Sequence, residues 1–167
     1  NVLSSFQENS VKLNDKISSI LDLAVVKSEP RIVTYKYETL DMLDKLKQFL
    51  EIEKEDKIKL EMKISNKLPS VLYGDEAGII KVVLYFFDLV SSILSKKNIL
   101  LEIDNIKVGN FAKLRFKFIT NDKSILNYVV EDKKTKELKL KITNSINYEI
   151  INNLLEKTNG NITIIKD

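Results

Sequence analysis

Residues 81 to 94 read KVVLYFFDLVSSIL. A helix drawn through this stretch is apolar almost all round, so it has no face to give to water and must be enclosed by other parts of the chain. No run of about eighteen or more apolar residues occurs, so nothing in the sequence is long enough to span a membrane. Asp75, at the end of the loop NKLPSVLYGD, is placed to cap this helix, which is expected to run to about Leu94. Whatever the chain folds into must wrap a core around it. A length of 167 residues with 44% hydrophobic content suffices for one such core and an appendage outside it.

The appendage is predicted at the start. Leu3, Phe6, Ser10, Leu13, Ile17, Ile20 and Ala24 step by alternating threes and fours, the a/d seam of a coiled coil or helical bundle. An ordinary core helix can carry the same spacing. The regularity of the seam, with few other helices in the chain to meet it, favours a dimerisation or docking helix. Leu21, Leu23, Val25 and Val26 widen the apolar surface, so the C-terminal end is expected to pack on the succeeding domain before Pro30 stops the helix near Ser28.

IVTYKYE alternates and reads as a short strand. Thr39 is the predicted N-cap of a helix to about Leu50, with Leu40, Leu43, Leu46, Phe49 and Leu50 on its inner face. KIKLEMKIS puts Ile58, Leu60, Met62 and Ile64 on one side of a half-buried strand. NILLEIDNI and FAKLRFKFI are predicted antiparallel neighbours joined by a turn containing Gly109. Residues 120–136 read as a loop or lid with a turn of helix around Leu126 to Val130, and ELKLKIT as an additional strand. Ser145 is placed to cap a helix from Ile146 to Thr158, with Ile150, Ile151, Leu154 and Leu155 inward and Gly160 near its C′ position; NITII is the expected final strand. The order implies an α+β fold: a two-layer α/β sandwich, a mixed sheet with helices on one face, preceded by a long N-terminal helix.

The chain contains no cysteine and no histidine, which removes disulfides, thiolate nucleophiles, the usual zinc sites, Ser-His-Asp chemistry and any phosphohistidine within these residues. No metal site and no catalytic residue is expected. Lys and Arg number 27 against 24 Asp and Glu, interspersed along the chain, so the charge balance does not point to nucleic acid. The acid pairs Glu51 with Glu55 and Asp41 with Asp44 sit at helical spacing among lysines and read as a solvated face. Tyr35 and Tyr37 share one side of a strand and are expected to pack. The lysine-rich EDKKTKELKLK reads as a solvated loop and strand edge.

Taken in order, KISSILDLAVVKSEPRIVTYKYETLDMLDKL, KIKLEMKISNKLPSVLYGDEAGIIKVVLYFFDLV, NILLEIDNIKVGNFAKLRFKFI and EIINNLLEKTNGNITI resemble the C-terminal part of a bacterial two-component sensor histidine kinase. Leu68-Pro69, Gly74-Asp75 and the helix beside them carry most of the likeness. The resemblance implies that residues 1–29 are the end of a dimerisation and phosphotransfer helix, and that residues 30–167 form a Bergerat-type, ATPase-like domain. It implies a cytoplasmic place, as the cytoplasmic part of a membrane-anchored sensor or otherwise. The chain opens with Asn1 and is expected to be a piece of something longer; in the family the reactive histidine sits on the first helix of the helical hairpin, outside these residues, and the sequence leaves open whether a parent protein carries one.

The same resemblance marks what is missing. Laid on the family's asparagine-bearing helix, the positions of the two asparagines that help hold phosphate-bound Mg²⁺ fall on Tyr85 and Leu89. Where a carboxylate reads the adenine amino group stands Thr120, with Asp122 and Ser124 at glycine positions; a shift of one or two residues brings Asp122 into the acid's place. The later glycine-rich loop corresponds to Asn144, Ser145 and Asn147, whose Cβ atoms obstruct the close backbone approach that glycine permits. The expectation is a degenerate kinase-like module that binds no cofactor well and acts through a homodimer or helical partner and through a response regulator or another kinase, with no nucleic acid and no membrane contact in this chain. The alternatives are an active core that passes phosphate from ATP and Mg²⁺ to a histidine outside the chain, and an unrelated α+β interaction domain.

Overall fold

The computed structural model of the protein describes residues 2–28, 31–54, 57–141 and 146–167. Among these, four helices, α1 (Val2–Ser28), α2 (Thr39–Lys54), α3 (Glu76–Ile93) and α4 (Ile146–Thr158), are interspersed with seven strands: β1 (Tyr35–Glu38), β2 (Lys59–Ile64), β3 (Val71–Gly74), β4 (Asn98–Val108), β5 (Phe111–Ile119), β6 (Val129–Glu131) and β7 (Leu138–Leu140). The central sheet has the order β2-β4-β5, with β2 parallel to β4 and β4 antiparallel to β5. A parallel pair needs a crossover, and the segment containing α3 supplies it. The fold is α+β with a mixed sheet, as the sequence predicts.

Period 2 explains why the helices gather on one face of the sheet. Ile99, Leu101 and Ile103 of β4 point one way into the core, which they share with Met42, Leu43, Leu46, Phe49 and Leu50 of α2 and with Ile80, Val83, Leu84, Phe87 and Val90 of α3. The intervening Glu102 and Asp104 face the other side, where Arg115 makes a two-pronged bond to Asp104. Burial of each of the larger core side chains stabilises the fold by ~1.5–3 kcal/mol. Phe86 of α3 and Phe118 of β5 meet edge to face, their ring centroids 5.0 Å apart, and fix the helix across the hairpin. That hairpin turns on Gly109 and Asn110, where only Gly109 has a positive φ, +60°, as a type II′ turn requires.

Several expectations need correction. The stretch before Asp75 that reads as a loop contains β3, which pairs with β1 in a separate two-stranded ribbon. Leu72 opposes Tyr37 there, and the sequence hides the pairing because the partner lies more than thirty residues earlier. The additional strand expected in ELKLKIT is present as β7, whose partner among the described residues is β6, in a ribbon apart from the main sheet. The segment 161–165, expected as a final strand, forms no ladder with the described residues: Ile162 and Ile164 alternate into a half-buried position, but alternation buries side chains without supplying a paired edge. Leu40 and Ile64, expected inward, are exposed, while Met42 takes the inner place on α2. The helical turn in the lid segment is a 3₁₀ helix at Lys123–Tyr128, slightly earlier than expected. At the end of α4, Asn159 rather than Gly160 takes the left-handed position, with φ of 53°. Gly160 N–H then bonds Leu155 O at 2.9 Å, and a Cβ on Gly160 would press on Leu155.

α1 is a single helix over its whole length. Leu3, Phe6, Leu13, Ile17, Ile20 and Ala24 of its seam are exposed and Ser10 is half-buried. Near its C-terminal end Leu23 is buried and Val26 half-buried against α2 and α3, but Leu21 and Val25, expected to join them, remain exposed.

Candidate functional site

The entry to α3 is tightly specified. Asp75 caps the helix by accepting from Gly78 N–H at 3.1 Å, as its position predicts. A Cβ on Gly78 would collide with that carboxylate, so the glycine leaves room for the cap. Glu76 is buried beside it, held by a short hydrogen bond from Tyr35 Oη and by Lys45 Nζ at 3.0 Å. The hydrogen bond to Glu76 pushes the Tyr35 phenol up to about 12, and burial does the same for Tyr37. Both rings pack edge to face and keep their protons at neutral pH. Thr39, expected to cap α2 with its side chain, instead donates its hydroxyl to Pro69 O at 2.5 Å while its N–H bonds Ser70 O at 3.0 Å. The Leu68-Pro69 loop is thereby tied to the start of α2.

Those positions singled out by the sequence that are described are not gathered around one cavity. Leu89 is buried; α4 lies against α3, and Leu89 and Ile151 of α4 are both enclosed while standing outside the main core. Tyr85 faces α1, with Lys27 Nζ 5.4 Å from its ring centroid. Thr120, Asp122 and Ser124 form a clasp on the C-terminal end of α3. Asp122 N–H bonds Thr120 Oγ1 at 3.1 Å, one Asp122 oxygen accepts from Ser124 N–H at 2.9 Å, and the other accepts from Lys96 N–H. Ser124 Oγ accepts from Ser95 N–H at 3.1 Å and donates to Ile93 O at 3.4 Å. These backbone donors, Ser124 first and then Lys96, hold the buried Asp122 carboxyl below its usual range. Asn147 is half-buried in the first turn of α4. Asn144 and Ser145 lie outside the described residues, as does Glu55 of one acid pair.

A charged junction between α1, α2 and α3 has little signature in the sequence. Lys27 bonds Glu53 and reaches Asp88 Oδ2 at 3.5 Å. Burial and then the neighbouring Glu53 push the Asp88 carboxyl up to about 6, against the pull of Lys27. Burial alone would depress the Lys27 ammonium, but its hydrogen bond to Glu53 and the charge of Asp88 hold it above its ordinary value. Beyond this pair an open cleft of about 320 Å³ runs between the end of α2 and α3, with Phe87, Ser91 and Lys97 in its walls. Ser91 Oγ is buried without a hydrogen-bond partner among the described residues. Asp88 was the one available signal, since it is the single acid inside KVVLYFFDLVSSIL.

Chemically, the described residues offer binding groups. No set of three or more Cys, His, Asp or Glu side chains converges among them as a metal site would require. No helix among them is long and apolar enough to cross a membrane. No family model matches the chain, and no curated protein sequence does either. Among solved structures the chain is similar to the histidine kinase AdeS of Acinetobacter baumannii, with a TM-score of 0.46 and 12% identity over 93% of this chain and 73% of that one.

Proposed function

We propose that the chain is a signalling module of the histidine-kinase type whose nucleotide face is degenerate, and that it acts through self-association of α1 and docking of a response regulator or another kinase. The observation that carries the reading is the seam: Leu3, Phe6, Leu13, Ile17 and Ile20 repeat at a/d spacing along one helix and all lie exposed in the single chain. An apolar stripe of that length stabilises a folded protein only when a partner covers it. The element order, the Leu68-Pro69 loop and the Asp75 cap support the kinase type.

Degeneracy is supported by what occupies the ligand positions. The Leu89 side chain has no oxygen to offer Mg²⁺ and is buried. Tyr85 is engaged with Lys27, and both Asp122 oxygens already accept backbone N–H groups. On this reading ATP with Mg²⁺ does not fit the side chains present, and no phosphate transfer is assigned to them. Titration of the chain with ATP and Mg²⁺ by calorimetry is expected to give no micromolar binding; micromolar heat would end the degenerate reading. Sedimentation should show a concentration-dependent dimer that Leu13→Glu with Ile17→Glu abolishes. A monomer at all concentrations would remove self-association.

A further inference from the structure

The lysine-rich segment after β5 carries more than its share of charge. Residues 123–141 hold Lys123, Lys133, Lys134, Lys136, Lys139 and Lys141 against Glu131, Asp132 and Glu137, so their net charge is +3, which is that of the whole chain. The rest of the chain is neutral in sum. All six lysines are exposed. The ribbon of β6 and β7 has two unlike faces: Val129 stands opposite Leu140 and Glu131 opposite Leu138, with the three apolar residues half-buried, whereas Val130 stands opposite Lys139 and both are exposed. Lys141 N–H bonds Tyr128 O at 2.7 Å, which continues the register by one pair. The outer face therefore carries Tyr128 and Val130 on one strand and Lys141 and Lys139 on the other. Leu126 precedes them, and Leu126, Tyr128 and Val130 are 37% to 41% exposed.

We propose that the outer face of this ribbon is a docking surface for a protein partner whose own surface is acidic with an apolar centre. Charge complementarity selects the acidic rim. Lys136 pairs with Glu131 at 3.5 Å and Lys139 with Asp132 at 3.0 Å, so the excess resides in Lys123, Lys133, Lys134 and Lys141 against Glu137. Acids standing among the lysines repel a uniformly anionic polymer, but they suit a protein surface that mixes both signs. Leu126, Tyr128 and Val130 are each more than half covered, which offers a protein something to pack on and leaves little to insert into a bilayer. The clasp of Asp122 and Ser124 on residues 93–96 fixes the base of the segment, so a partner has less of it to order. This surface deepens the docking half of the proposed function and rests on that reading for the existence of a protein partner.

The test offers the full chain four probes: a short labelled peptide of alternating glutamate and leucine, one of alternating glutamate and serine with the same charge, heparin, and vesicles of phosphatidylserine with phosphatidylcholine. Read by fluorescence anisotropy, the glutamate-leucine peptide should bind about tenfold more tightly than the glutamate-serine one. Tyr128→Ser with Val130→Ser should remove that difference, and Lys133→Glu with Lys134→Glu should weaken both peptides by about tenfold. Lys59→Glu with Lys63→Glu makes the same change of charge on β2 and should leave both affinities within about twofold. The serine pair carries the test if the charge-reversed ribbon folds poorly. Equal binding of the two peptides by the native chain, or equal losses from the two lysine pairs, overturns the surface. So does tighter binding of heparin or of the vesicles that Lys133→Glu with Lys134→Glu abolishes, which would assign the face to a polyanion or a lipid. A response-regulator receiver domain that binds the native and the Lys133→Glu, Lys134→Glu chains equally overturns this surface and keeps docking itself, so the two failures are told apart.

Discussion

α1 and α3 are both long helices rich in apolar residues, yet they meet opposite fates. α3 is enclosed: Ile80, Val83, Leu84, Phe87, Leu89 and Val90 are all buried, against the sheet, α2 and α4. Among the described side chains of α1 only Leu23 is buried, while Phe6 is 70% exposed and Leu13 59%. The difference lies in how the apolar residues are distributed. α3 has them almost all round and can exist only inside a core, whereas α1 has a stripe, which states that one face needs a partner but not which one.

Graded truncation tests this contrast. Phe87→Ala should cost ~3–5 kcal/mol by urea unfolding, because the side chain is 1% exposed and leaves a cavity. Leu23→Ala, at the buried position of α1, should cost ~2 kcal/mol. Leu3→Ala should stay within ~0.5 kcal/mol at concentrations where the chain is monomeric. Equal losses at Phe87 and Leu3 would break the comparison, since the seam would then be part of a monomeric core.

A smaller effect sharpens the contact between the two helices. The folded chain holds the Asp88 proton at about 6, above the ordinary 3.8, so proton uptake favours the native state. That contribution is fully present below about pH 4 and lost as pH rises through about 6. For a half-exposed group, screening reduces it to ~1 kcal/mol. Urea unfolding of the native chain should therefore show ~1 kcal/mol less stability at pH 7 than at pH 4 relative to Asp88→Asn, measured across the same range. An identical pH profile in the two chains would show that Asp88 is no more acid-sensitive than a surface group.

The smallest effect is expected at Gly78. Alanine there gains ~1 kcal/mol of helix propensity and loses ~1 kcal/mol of cap as the Asp75 carboxylate is displaced, so the net change in thermal stability should be close to zero. A gain approaching the full propensity term would mean that the cap contributes little.

What was legible in the sequence were features whose cause is local. The all-round apolarity of residues 81–94 with Asp75 before them located α3, and the alternation around Gly109 located the hairpin. Leu43, Leu46, Phe49 and Leu50 located the inner face of α2. The candidate site was less legible. Thr120, Asp122 and Ser124 stood out as departures from a family's pattern, but nothing in their spacing announced a clasp on residues 93–96. Val71 to Gly74 looked like loop because their partner strand begins at Tyr35. In 161–165 the strand pattern was present, and the ladder was not.

By itself, then, the sequence determined where the helices and the strands of the central sheet lie, which helix must be enclosed and which one carries an unfilled stripe. These follow from the periods of the backbone and the cost of wetting apolar surface, both of which act within a few turns. Tertiary structure decided which charges meet. Lys27 and Asp88 are 61 positions apart, and no local rule pairs them. Their contact exists because α1 ends where α2 and α3 already lie side by side, which places an ammonium and two carboxyl groups in one half-buried space.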